Sequence, residues 1–136
     1  GDKMLEAAMN NNNKTKILGV SILTSLNNNQ IKRFYSKNNI EDLINDYTNY
    51  ALKNNLDGIV CSPHEINKVK KIAGNKLIIV TPGIRQIAYI KNDDQKRFMS
   101  PKKAVNLGAN YLVIGRPITQ SSNPLLEITS INSSIE

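Results

Sequence analysis

Two arginines stand where this sequence can do chemistry. Gly115-Arg116-Pro117 follows the apolar run Tyr111 to Ile114, and Arg85 closes Thr81-Pro82-Gly83-Ile84-Arg85 after the run Lys76 to Val80. A guanidinium offers a planar fork of N–H donors that fits two phosphate oxygens. A glycine lets the backbone and its amide come close to an anion. Thr24 and Ser25, after the run Lys16 to Leu23, add two hydroxyls. They serve either as donors to a ligand or as a helix cap or turn, because Ser and Thr suit both uses. The long connection after Arg85 reaches Asp93-Asp94-Gln95-Lys96-Arg97. A connection of that length in an α/β unit is either a binding loop or a surface excursion. At Gly115-Arg116 the pattern reads as phosphate recognition.

The other polar candidates read as ordinary. His64 falls at a helix start, exposed and without a partner that would make it a general acid or base. Cys61 ends an apolar run and reads as a buried structural thiol. Asp93-Asp94 reads as a solvated pair, and Tyr47 and Tyr50 share a helix face as packing residues.

These residues need elements to hold them. Four short runs, Lys16 to Leu23, Asp57 to Cys61, Lys76 to Val80 and Tyr111 to Ile114, are rich in Ile, Val and Leu without polar alternation. Strands buried on both faces of a parallel sheet read that way. Helical segments alternate with them at Ile40 to Lys53, Glu65 to Ile72, Pro101 to Leu107 and Pro124 to about Ile131, after an opening helix at Lys3 to Met9. Ser62-Pro63-His64-Glu65 carries a cap, a first-turn proline and a capping-box glutamate, and Ser100-Pro101 and Asn123-Pro124 repeat the cap and proline. Gly74 and Gly108 fall where helices end. Repeated βα units predict right-handed crossovers and one parallel sheet, either open and doubly wound or part of a (β/α)₈ barrel. No Gly-x-Gly-x-x-Gly follows a strand, which weakens the dinucleotide-binding version. A full barrel takes roughly 200–250 residues, so four units make half of one.

Composition limits the classes. The 136 residues carry 18 Lys plus Arg against 11 Asp plus Glu, a net charge of +7. The lysines are scattered among Asn-rich stretches, aromatics are 5% and Trp is absent, so no nucleic-acid partner is expected. No apolar run approaches a membrane span and no secretion signal is visible, so no membrane partner is expected and a cytoplasmic protein is. One Cys and one His argue against a disulfide framework, a zinc site and any metal cofactor.

Taken together, the segments resemble bacterial orotidine 5′-phosphate decarboxylase. The stretches that carry the likeness are Gly19-Val-Ser-Ile-Leu-Thr-Ser25, Leu56-Asp-Gly-Ile-Val-Cys-Ser62, Val80-Thr-Pro-Gly-Ile-Arg85, Asp94-Gln-Lys-Arg97 with Met99-Ser-Pro101, and Tyr111-Leu-Val-Ile-Gly-Arg-Pro117 running on to Thr119-Gln-Ser121. Their order and spacing match across nearly the whole chain. The resemblance implies an α/β fold that is the C-terminal half, strands 5 to 8, of a TIM (β/α)₈ barrel, with residues 1–136 forming four parallel βα units of one domain. It implies an enzyme that converts orotidine 5′-monophosphate to UMP and CO₂ in pyrimidine synthesis, with no metal and no organic cofactor; the alternative is a non-catalytic half-barrel that binds phosphate or a nucleotide. In the family a lysine in an Asp-x-Lys-x-x-Asp motif protonates the C6 carbanion, and the last Asp reaches across a dimer interface. That motif is missing from this chain, so no catalytic residue is assigned here. The N-terminal half of the barrel and a homodimer are the expected partners.

The carried-over positions are binding ones. Thr24 matches the pyrimidine contact at the fifth strand, Arg85 and Gln95 match flap residues that clamp the phosphate, and Gly115 and Arg116 match the amide and guanidinium that hold it from strand eight. The flap 86–93 departs from the family in being more apolar: either Ile87, Tyr89 and Ile90 pack over the closed site or the flap moves differently. An isolated half-barrel exposes two sheet edges and one face, and is expected to associate.

Overall fold

A computed structural model describes residues 1–11, 14–23, 26, 28–35, 39–86 and 98–136. In chain order the elements are α1 (Asp2–Asn10), β1 (Leu18–Val20), α2 (Asn28–Tyr35), α3 (Ile40–Lys53), β2 (Gly58–Val60), a 3-10 turn (Pro63–Glu65), α4 (Ile66–Ala73), β3 (Ile78–Thr81), α5 (Pro101–Asn106), β4 (Tyr111–Leu112), α6 (Arg116–Thr119) and α7 (Pro124–Ile135). The strands form one sheet in the order β1-β2-β3-β4. Every pairing is parallel, with Leu18 beside Gly58, Gly58 beside Ile78, and Val80 beside Tyr111. The repeated βα pattern predicts this single parallel α/β sheet of four βα units, and the family resemblance implies that it is half of a barrel.

Residues in register share a face of the sheet. Gly19, Ile59 and Ile79 form one row, in which Ile59 and Ile79 are buried with Cys61 in the main core. Helices supply the other side of that core through Leu43, Ile44 and Ala51 of α3, Ile66 and Val69 of α4, and Ala104 of α5. Leu18, Val20, Tyr111 and Val113 are exposed. The strands were expected to be buried on both faces; the outer two are not. The apolar runs carry the composition of strands covered on both faces, but among the described residues nothing covers these positions of β1 and β4.

Gly58 shows why one position in the sheet takes no side chain. A β-carbon there would collide with the Ile78 carbonyl oxygen and with the Leu18 side chain. The lower end of the sheet is held by a repeated bracket. Asp57 donates its amide to the Ile17 carbonyl at 3.0 Å, and its carboxylate accepts the Ile17 amide at 2.7 Å. Asn110 treats Ile79 the same way, donating to its carbonyl at 2.9 Å and accepting its amide at 2.8 Å.

Local signals were read correctly where their partners are close in sequence. Ser62 and Glu65 form the reciprocal capping box, with the Ser62 amide donating to Glu65 Oε2 at 3.1 Å. Asn123 caps α7 through the Leu126 amide at 3.1 Å. Gly74 and Gly108 take positive φ after α4 and α5. Cys61 is buried and His64 exposed, as expected. Ser100 precedes α5 but its side chain makes no cap bond, a departure from the cap-and-proline reading. Tyr50 is 44% exposed and not the packing residue expected, whereas Tyr47 is packed against the core. Burial raises the Tyr47 phenol above its ordinary pKa, with Tyr35, Asp46 and Tyr50 adding to it. Helix α2 was not anticipated, and its Ile31 is fully buried.

Candidate phosphate site

In a parallel sheet all strands end at the same edge, so loops from neighbouring strands face one another there. β3 and β4 are neighbours, and Thr81 is in register with Leu112. Arg85 lies four residues beyond Thr81 (85 − 81), and Arg116 lies four beyond Leu112 (116 − 112). The ladder runs on past the last paired residues, since the Val113 amide donates to the Thr81 carbonyl at 2.9 Å. Both arginines therefore follow neighbouring strands at the same edge of the sheet.

The backbone around each arginine is held by local contacts. Gly83 has φ 77°, a left-handed conformation that favours glycine. Ile84 then pairs with Met99 in a parallel bridge. The Arg85 amide donates to the Met99 carbonyl at 3.0 Å, and the Met99 amide donates to the Gly83 carbonyl at 3.2 Å. These two bonds close the neck of the excursion that runs from residue 86 to 98, and Ile84 beneath it is fully buried. The Arg85 side chain is 7% exposed and donates from Nη1 to the Ile84 carbonyl at 2.8 Å. Gly115 is the N-cap of α6, and its carbonyl accepts the amides of Ile118 and Thr119 at 2.9 and 3.0 Å. Pro117, buried, fixes the first turn of that helix, so Arg116 leaves from a braced backbone.

Of the five expected contact residues, Arg85, Gly115 and Arg116 thus share one edge of the sheet. Thr24 and Gln95 lie outside the described residues, as do Asp93, Asp94 and the apolar flap positions Ile87, Tyr89 and Ile90. Two features had no signal in the sequence. Gln86 Nε2 donates to Ser130 Oγ at 3.3 Å, tying the loop base to α7 across a separation of 44 residues. Thr81 is fully buried, and its hydroxyl has no hydrogen-bond partner among the described residues. Among those residues, no group of three or more His, Cys, Asp or Glu is placed to hold a metal ion. No described helix is long and apolar enough to cross a membrane.

The profile of the orotidine 5′-phosphate decarboxylase / HUMPS family matches residues 1–131. The chain belongs to that family. Among its curated relatives, the orotidine 5′-phosphate decarboxylase of Wigglesworthia glossinidia brevipalpis is 46% identical over 124 residues, which cover 91% of this chain and 53% of the relative. That of Aquifex aeolicus is 44% identical over 129 residues, covering 92% and 54%. The crystal structure of orotidine 5′-phosphate decarboxylase from Lactobacillus acidophilus superposes with a TM-score of 0.79 at 26% identity, covering all of this chain and 59% of that one. The chain spans about half the length of the curated relatives it matches.

Proposed function

We propose that this family member supplies the phosphate- and pyrimidine-binding half of an orotidine 5′-phosphate decarboxylase, which converts orotidine 5′-monophosphate to UMP and CO₂. The observation that carries the reading is the pair of braced arginines, Arg85 and Arg116, beyond neighbouring strands at the same edge of the sheet, in a chain matched by the family over residues 1–131. Residues 1–136 are then part of one barrel domain, completed by an N-terminal half that brings the catalytic lysine and carboxylates. Arg85, Arg116 and the Gly115 amide hold the phosphate, with Gln95 closing from the flap and Thr24 against the pyrimidine. The completed enzyme is a cytoplasmic homodimer working without metal or organic cofactor.

Phosphate binding contributes to catalysis here although the phosphate does not react. Loss of CO₂ leaves a carbanion at C6, and the base must be held where a proton donor can reach that carbon. Energy released where two guanidinium forks meet a dianion far from C6 offsets the cost of closing the site and orienting the ring. Such a grip raises turnover as well as affinity.

Titration of the chain with UMP at low ionic strength tests this assignment. Binding is expected, weakened about tenfold or more by Arg116→Ala, because a charge-assisted hydrogen bond contributes about 1.5–3 kcal/mol. UMP affinity that is indifferent to both Arg85→Ala and Arg116→Ala would overturn the assigned contacts.

A further inference from the structure

Two ties meet beside Arg85, and they come from distant parts of the chain. The Arg85 amide donates to the Met99 carbonyl at 3.0 Å, just past the 86–98 excursion. The next residue, Gln86, is half-buried and donates from Nε2 to Ser130 Oγ at 3.3 Å. Ser130 belongs to α7, which packs against both α5 and α6. α5 begins at Pro101, just after Met99, and α6 begins at Arg116. Ile131, beside Ser130, is buried, and with Ile128 it lines one cavity with Ile118 of α6 and Val105 of α5. One helix therefore touches the segments that carry both arginines.

We propose that Ser130 is a positioning residue for phosphate binding: through Gln86 it holds the backbone at Arg85 against α7, and so against α6 and Arg116. The inference rests on the phosphate reading above. The Met99 bonds fix residue 85 to the start of α5, and the Gln86 bond fixes it to the helix pair that follows β4. A dianion shared by two guanidinium forks needs both at bonding distance together. A fixed separation between their backbones removes ordering that binding would otherwise have to supply.

The other hydroxyls of α7 show that this contact is not what a helix gives by default. Ser and Thr in a helix commonly turn back on a carbonyl of the preceding turn. Thr129 does so to the Leu125 carbonyl at 2.9 Å, and Ser134 to the Ile131 carbonyl at 2.7 Å. Ser130 Oγ instead accepts from a side chain 44 positions away. Serine is also a weaker helix former than alanine, so at this exposed position it costs helix stability that its long-range bond offsets.

Ser130→Ala and Gln86→Ala in the full chain test this, with Ser130→Thr to restore the hydroxyl and Thr129→Ala as a neighbouring control. UMP affinity is expected to fall about two- to fivefold in either alanine variant, the effect of one exposed hydrogen bond, and no further in the double variant. Affinity for uridine, which has no phosphate, should not change. Hydrogen exchange at the Arg85 and Met99 amides should speed up by a similar factor. Ser130→Thr should bring both readouts back, and Thr129→Ala should move neither. Unchanged exchange in both alanine variants, or UMP affinity that falls with Arg85→Ala but with neither of them, would overturn the inference. UMP affinity indifferent to Arg85→Ala and Arg116→Ala would overturn the phosphate reading instead. The exchange rates, which need no ligand, keep the two failures apart.

Discussion

Asp57 and Asn110 perform one task in two places, each closing a pair of backbone bonds on the strand beside it. Asp57→Ala leaves the Ile17 amide without its carboxylate, and thermal or urea melts should show a loss of about 1–3 kcal/mol. Asp57→Asn keeps an acceptor oxygen and should retain most of that stability. Thr81 poses the opposite case. Its buried hydroxyl has no partner among the described residues, so Thr81→Val should be neutral or stabilising by up to about 1 kcal/mol in the same melts. A clear destabilisation would mean that the hydroxyl is satisfied in solution. At this scale the sequence was legible wherever a residue acts on near neighbours. The Ser62 capping box spans three residues, and Gly74 answers to its own φ. The Asp57 bracket spans 40 residues and the Gln86–Ser130 contact spans 44, so nothing local announces either.

Helix α1 packs Leu5 and Met9 against the core and adds an exposed charged tie to α3. The hydrogen bonds from Lys53 and then Asn54 lower the Asp2 pKa below 3.8, and Asp2 raises the Lys53 pKa above 10.5. The Asp2 contribution is present above 3.8 and is lost as pH falls through the lowered value. The Lys53 contribution is present below 10.5 and is lost as pH rises through the raised value. Helix α1 should therefore be held best between these limits. Amide protection at Met4 and Leu5 is expected to drop on acidification below 3.8, and Asp2→Asn should remove that pH dependence. The sheet depends instead on fit: Gly58→Ala forces Leu18 and the Ile78 backbone apart, costing about 1–3 kcal/mol. Strands and helices were legible because apolar runs and helix caps are local. The exposed side of β1 and β4 was not, because an apolar run describes the environment a strand is built for, and this chain supplies only half of it.

Among the described residues, the sheet has no strand beyond β1 or β4 and carries exposed apolar side chains on both outer strands. Leu18, Val20, Tyr111 and Val113 expose apolar surface beside unpaired strand edges, the combination that favours association. Sedimentation of the chain alone should show a mass that rises with concentration, and the completed complex should not. A sharp monomer over the whole range would contradict this. The family was legible from Pro82-Gly83-Ile84-Arg85 and Ile114-Gly115-Arg116-Pro117, in agreement with the profile match over residues 1–131. Positions 87–93 of the flap lie outside the described residues. The central claim is that this chain grips the substrate phosphate for a decarboxylation completed by another half. The most direct measurement is UMP formation from orotidine 5′-monophosphate by a complex of this chain with the N-terminal half of a relative, with and without Arg116→Ala. The account predicts turnover that falls at least about tenfold in kcat/KM on that substitution while the complex persists. Turnover that is unchanged by Arg116→Ala, or an intact complex with none at all, would contradict it.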